Sequence, residues 1–252
     1  MTNPFVSVVK RRIPYCGSCL GPAMKPRATF KQISRLLMDS WISGPDGLGS
    51  PEDIYAAVLG MLRPSMILLV VDTGSRSTPD FRIDIIKNYS LPSGFADIGL
   101  LEQSQSFADF PDQKYLHEIM APAYITAVER QRPSIGNVVA RILGMHAAYQ
   151  RIVLPQKNSL GWSTWCIGLV DVHFLLPAGS RAEGTDDVDL GIVQLLGEGA
   201  SIREIAEAVS LSPRTVEHRI ERLKSAFGAR NIAHLLAMWI SAGIAGVGKR
   251  DE

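Results

Sequence analysis

The chain has 252 residues, of which 46% are hydrophobic and 20% charged, with a formal net charge of +1. That length is enough for two globular domains, and so even a charge balance excludes a whole-protein field that would draw in nucleic acid or an acidic membrane. Three cysteines in a chain expected in the cytoplasm argue against a structural disulfide.

Residues 1–27 read as a basic flexible tail, in which Lys10, Arg11, Arg12, Lys25 and Arg27 carry charge and no acid occurs. No continuous apolar stretch with a small-residue cleavage site follows the charged start, so no secretory leader is expected. No run approaches the ~20 apolar residues that span a bilayer, so no membrane partner is expected. Cys16 and Cys19 form a C-x-x-C pair, a spacing found in redox centres and in half zinc sites. Zinc needs about four ligands and the chain has no second such pair, so no metal site is expected. Cys16 and Cys19 are either incidental or a pair that senses redox state or metal.

Residues 30 to about 43 have helical periodicity, with Ile33, Leu36, Leu37 and Trp41 on one side. A turn-rich break follows, and Pro51-Glu52-Asp53 opens a second helix with Ile54, Val58 and Met61 inward. Residues 65–71 read as a buried strand ending at Asp72, and residues 81–89 as a second strand. An aspartate at the end of an apolar strand is where a receiver domain takes phosphate. Such a domain also needs an acidic pair after its first strand, and the chain has no acid before Asp39, so Asp72 reads as a turn former.

Residues 91 to about 147 read as mainly helical, with one helix over 115–130 and Pro133 interrupting; His117, Tyr124, His146 and Tyr149 are placed to face a pocket. Residues 149–154 and 162–174 then read as two strands. Two strands, a helical middle and a closing hairpin predict an α+β domain over 28–177. Small and polar residues make 178–186 a linker.

The motif-bearing part is 187–246. Ser201 and Glu204 form an S-x-x-E capping box, and Ile202, Ile205, Ala206 and Val209 then mark one helical face. After the turn Val209-Ser210-Leu211, Ser212 reads as an N-cap and Pro213 as the first residue of a second helix. Val216, Ile220, Leu223 and Phe227 recur at helical spacing, and Gly228 is placed as a left-handed C-cap. The opposite face is polar. Arg214, Arg219, Arg222, Lys224 and Arg230 face only Glu217 and Glu221 as acids between 213 and 230, a local basic excess suited to phosphate contact. This is helix-turn-helix grammar, in which the second helix enters a DNA major groove. Residues 231 to about 242 supply a last helix with Leu235, Leu236, Trp239 and Ile240.

The words Glu198-Gly199, Glu204-Ile205-Ala206, Leu211-Ser212-Pro213-Arg214-Thr215-Val216, and Gly228 with Asn231 resemble the LuxR-type (FixJ/NarL-like) DNA-binding domain. The resemblance departs from the family in three places. The usual opening Arg-Glu-x-Glu falls on Val188, Asp189 and Gly191, the usual turn glycine is Ser210, and acids stand at Glu217 and Glu221. Ser210 is therefore expected at positive φ. The strand and helix order upstream, with YQRIVLP at residues 149–155, resembles a PAS-like sensor: an antiparallel sheet with helices over one face.

The resemblances imply a DNA-binding transcriptional regulator. Its partners would be double-stranded promoter or operator DNA, a second copy in a homodimer, and a small-molecule ligand or regulatory protein sensed upstream. Its DNA-contacting residues would be Ser212, Arg214, Thr215, Glu217, His218, Arg219, Glu221 and Arg222. The arginines would pair with phosphates, and Glu217, His218 and Glu221 would sit at base-reading positions. Two other readings stay open: an interaction module that sequesters another regulator, and a quorum-sensing acyl-homoserine-lactone receptor. No G-x-x-x-x-G-K-[ST], H-E-x-x-H or G-x-S-x-G occurs, so no enzyme and no catalytic residue is expected. The sequence points to no particular cofactor.

Overall fold

The computed structural model describes residues 28–44, 46, 49–90, 106–158, 161–177 and 184–247. The tail with Cys16 and Cys19, and most of the expected linker, lie outside them. Helix α1 (Phe30–Ser43) opens with a reciprocal capping box between Thr29 and Gln32. It buries Phe30, Ile33 and Leu37, whereas Leu36, expected inward, is exposed. The Trp41 indole N–H donates to the carbonyl of Pro155 at 2.6 Å, fixing the end of the helix to the sheet. Helix α2 (Pro51–Tyr55), capped by Ser50, tightens into a 3-10 turn at Ala56–Met61.

Five strands follow: β1 (Met66–Asp72), β2 (Arg82–Lys87), β3 (Ser134–Ile142), β4 (Met145–Pro155) and β5 (Trp165–Pro177). They make one antiparallel sheet in the order β2-β1-β5-β4-β3. Between β2 and β3 lie α3 (Gln113–Tyr115), a π-helical turn (Leu116–Met120) and α4 (Ala121–Arg130). Each face of the sheet buries a core. α1 and α2 cover Leu68, Ile152, Leu154 and Ile167, while α4 and the π turn cover Val71, Phe81, Val153 and Cys166. Asp72 makes the turn expected of it, its Oδ1 accepting from the Gly74 N–H at 2.8 Å.

The expectation that the chain stays helical to about residue 147 is corrected: residues 134–142 are β3, and β4 begins at Met145. The hairpin turn between them is Leu143-Gly144, with φ of 50° and 73°. Two successive positive φ values give the turn whose twist matches paired strands, usually built by Asn-Gly. Here Leu143 holds the position with help from Asp112, whose Oδ2 accepts the Leu143 N–H at 2.7 Å.

The C-terminal part is helical throughout: α5 (Asp187–Gly197), α6 (Ile202–Ala208), α7 (Pro213–Ala226) and α8 (Ile232–Val247). Ile192, Ile205, Val216, Ile220, Leu223 and Leu235 form a third core. Each such side chain stabilises by about 1.5–3 kcal/mol when fully buried. Trp239 packs on Phe227 within this bundle, with ring centroids 5.4 Å apart. No helix among the described residues is long and apolar enough to cross a membrane.

Candidate nucleic-acid interface and ligand cavity

The α6–turn–α7 unit is built as its caps require. Ser201 and Glu204 exchange hydrogen bonds at the start of α6. Ser210 has φ 55°, the positive φ expected of it. The Leu211 N–H then reaches back to the carbonyl of Ala206 at 2.9 Å, closing the helix end. Ser212 caps α7, accepting from the Thr215 N–H at 3.1 Å, and Gly228 ends the helix region at φ 62°.

Val216, Ile220 and Leu223 turn α7 inward. Ser212, Arg214, Thr215, Glu217, His218, Glu221 and Arg222 stay exposed on the other side. The first turn of α7, where backbone N–H groups carry partial positive charge, is thus open to an anion. Glu221 is not a bare charge: the Lys224 ammonium sits 2.8 Å from its carboxylate.

Two of the expected phosphate contacts are engaged inside the protein. Arg219 donates to both oxygens of Asp186, at 3.0 and 2.8 Å, and to Asp189 at 2.9 Å. Arg222 pairs with the other oxygen of Asp189. Asp186 caps α5 and Asp189 is fully buried, so the arginines hold α5 against α7. The Arg219 hydrogen bonds keep the Asp186 carboxyl below its ordinary range, and the two aspartates raise Arg219. Sequence reasoning treats Asp186 and Asp189 as neither site nor clamp. The signal available is the D-x-x-D spacing of a capping box at the start of α5.

A cavity of about 330 Å³ lies between the sheet and the α3–α4 segment. Tyr124 and Tyr149 line it as expected, while His117, exposed, and His146, buried elsewhere, do not. Its walls are mostly aliphatic, including Leu69, Ile83, Ala147 and Leu175. The polar groups are few: Asn88 and Tyr89 stand on the wall, Tyr115 and Tyr149 share a 2.6 Å hydroxyl contact, and Arg151 donates to the carbonyl of Ile119 at 2.9 Å. Burial raises the phenols of Tyr115, Tyr124 and Tyr149, which stay protonated. Gly168 gives the Tyr124 hydroxyl room, since any Cβ there would overlap it. Among the described residues no group of His, Cys, Asp and Glu is arranged to hold a metal ion.

Residues 186–224 match the family model of the AsnC-type helix-turn-helix domain, overlapping the stretch where the LuxR-type words occur. No curated protein matches the chain. Among solved structures the chain is similar to the Vibrio cholerae VqmA dimer in the absence of target DNA: 16% identity, 75% of this chain, 86% of that chain, TM-score 0.31. It is similar to the phage VqmA–DPO complex at 22% identity, covering 77% of this chain and 92% of that chain with a TM-score of 0.32. For Escherichia coli SdiA the values are 11% identity, 86% and 99% coverage, and a TM-score of 0.27. At such distances these likenesses say nothing of this chain's own ligand or partner. What stands is a helix-turn-helix in 186–224, joined to a five-stranded antiparallel sheet with helices on both faces.

Proposed function

We propose that this chain is a DNA-binding transcriptional regulator whose upstream part senses a small molecule. The observation that carries it is α7: its apolar side closes the bundle, and its N-terminal turn presents Ser212, Arg214, Thr215, Glu217 and His218 to solvent. The AsnC-type match over the same helices supports the reading. Residues 187–246 form the DNA-binding domain, LuxR-type in its wording, and 28–177 a PAS-like sensory and dimerisation domain. A 178–186 linker joins the two, and a 1–27 tail precedes them. The antiparallel sheet and the cavity against it support the PAS-like assignment. The protein acts in the cytoplasm as a homodimer on a two-fold operator, and it is not an enzyme.

In this reading α7 lies in the major groove. Arg214 pairs with a phosphate, and Ser212 and Thr215 lie beside the backbone. His218, Glu217 and Glu221 face base edges, where a carboxylate accepts from cytosine N4. Arg219 and Arg222 act first through Asp186 and Asp189, positioning the helix. The exposed Glu217 favours one second reading, a module that has lost DNA affinity and sequesters another regulator.

Fluorescence anisotropy of the full chain on duplex from upstream of its own gene, across a salt series, tests the proposal. Affinity falling steeply with salt, with preference over a scrambled duplex, is expected. Arg214→Ala should lower the salt slope by about one, and His218→Ala should alter sequence preference. No duplex binding at low salt would leave the sequestering module.

A further inference from the structure

The cavity contains a charge to which no described residue supplies a counter-ion. Arg151 is carried by β4, paired across the sheet with Gly136 and Val170, and its guanidinium lines the cavity. Its charge reaches the hydroxyls of Tyr115, Tyr124 and Tyr149, lowering the pKa that burial raises in each. Its protein partners are neutral: the Ile119 carbonyl and the Tyr149 hydroxyl. The phenols are held protonated and cannot supply a negative charge. Among the described residues no carboxylate forms an ion pair with Arg151. Asp112, bonded to the cavity residue Leu143, has both oxygens committed to backbone, Oδ1 to the Tyr115 N–H and Oδ2 to the Leu143 N–H. No acid is among the described residues that line the cavity. A guanidinium in apolar surroundings is costly unless an anion meets it, and a planar carboxylate meets it best.

We infer that the cavity binds a small organic monocarboxylate with an apolar body, its carboxylate on Arg151 and the Tyr115–Tyr149 hydroxyl pair. The apolar body would lie along Leu69, Ile83 and Leu175, and the 330 Å³ volume is at the small end of ligand sites, about 300–1,000 Å³. This inference rests on the sensor reading above and names the ligand class. A cationic ligand is excluded by charge, and a neutral one would leave Arg151 as it is.

The test compares acid and amide pairs on the full chain by isothermal titration calorimetry: octanoate with octanamide, and phenylacetate with phenylacetamide. The expected result is that at least one acid binds ten-fold or more tightly than its amide. Arg151→Gln should abolish that ratio, and Arg151→Lys should keep part of it. Equal affinity for acid and amide, or binding by none of the four, overturns the inference on the unaltered protein, whether or not the variants fold. Acid preference that survives in a folded Arg151→Gln protein also overturns it. Duplex binding is measured separately. Acid binding without duplex binding leaves the ligand class standing and sinks the regulator. Duplex binding with no acid preference does the reverse.

Discussion

The Ser241 hydroxyl, on α8, donates a 2.6 Å hydrogen bond to the carbonyl of Pro177, the last residue of β5. Ser241 is fully buried. β5 also supplies Val170, Val172 and Leu175 to the cavity wall, and α8 packs on α7 through Trp239 and Phe227. One strand therefore touches both the cavity and the helical bundle. Ser241→Ala should destabilise the protein by about 1 kcal/mol, since a carbonyl loses its donor. It should also raise hydrogen exchange in α8 around residue 241. Denaturant unfolding and exchange mass spectrometry check both, and unchanged exchange there would remove Ser241 as the tie.

Arg219 should matter for stability and Arg214 should not. Removing Arg219 leaves the buried Asp189 carboxylate with Arg222 alone, and deprives Asp186 of its partner. Breaking a fully buried pair costs several kcal/mol. The Arg219 side chain is 25% exposed, which screens the pair, so about 1–3 kcal/mol is expected for Arg219→Ala. Arg214→Ala, on an exposed face, should stay within about 0.5 kcal/mol. Urea unfolding of the two variants decides it, and equal losses would dismiss the clamp.

Ser210 carries strain that glycine would relieve. At φ 55° a side chain costs roughly 1–2 kcal/mol. Glycine recovers that and gives back about 0.4–1 kcal/mol through the freer unfolded chain. Ser210→Gly should therefore raise stability by a few tenths to about 1 kcal/mol, read as a higher thermal midpoint. Ser210→Val should lower it.

His146 should make the fold acid-sensitive. It is buried, its Nε2 has no hydrogen-bond partner among the described residues, and Arg141 stands opposite it across the β3–β4 pair. Burial first, and Arg141 second, push its pKa below 6.5. The unfolded chain thus binds a proton near pH 6.5 that the folded chain refuses until lower pH. Stability from this group is level above 6.5 and falls as pH drops through that value towards the lowered pKa. Thermal midpoints at pH 7.5, 6.5 and 5.5 should fall in that order, and His146→Leu should flatten the series.

What could be read in advance was local. The capping box at Ser201 and Glu204, the Ser212-Pro213 start, the positive φ at Ser210 and the stop at Gly228 each depend on residues within one or two turns. β3 escaped because its turn uses leucine where asparagine would announce a hairpin, and the support comes from Asp112, 31 positions away. In sequence Arg219 reads as a free phosphate ligand, because its partner Asp186 stands 33 positions upstream. Two cavity tyrosines were legible as candidates; the Arg151 charge among them was not, since strand alternation does not say what lies above a strand.

Gly168 has a consequence for how this protein can change. The depth of the cavity at Tyr124 depends on an atom that glycine lacks. Every glycine codon is one nucleotide from an alanine codon, and the added methyl would push the phenol ring away from β5. A single base in the gene thus sets how much space the cavity offers beside Tyr124, while the helix-turn-helix of residues 186–224 is untouched by the change.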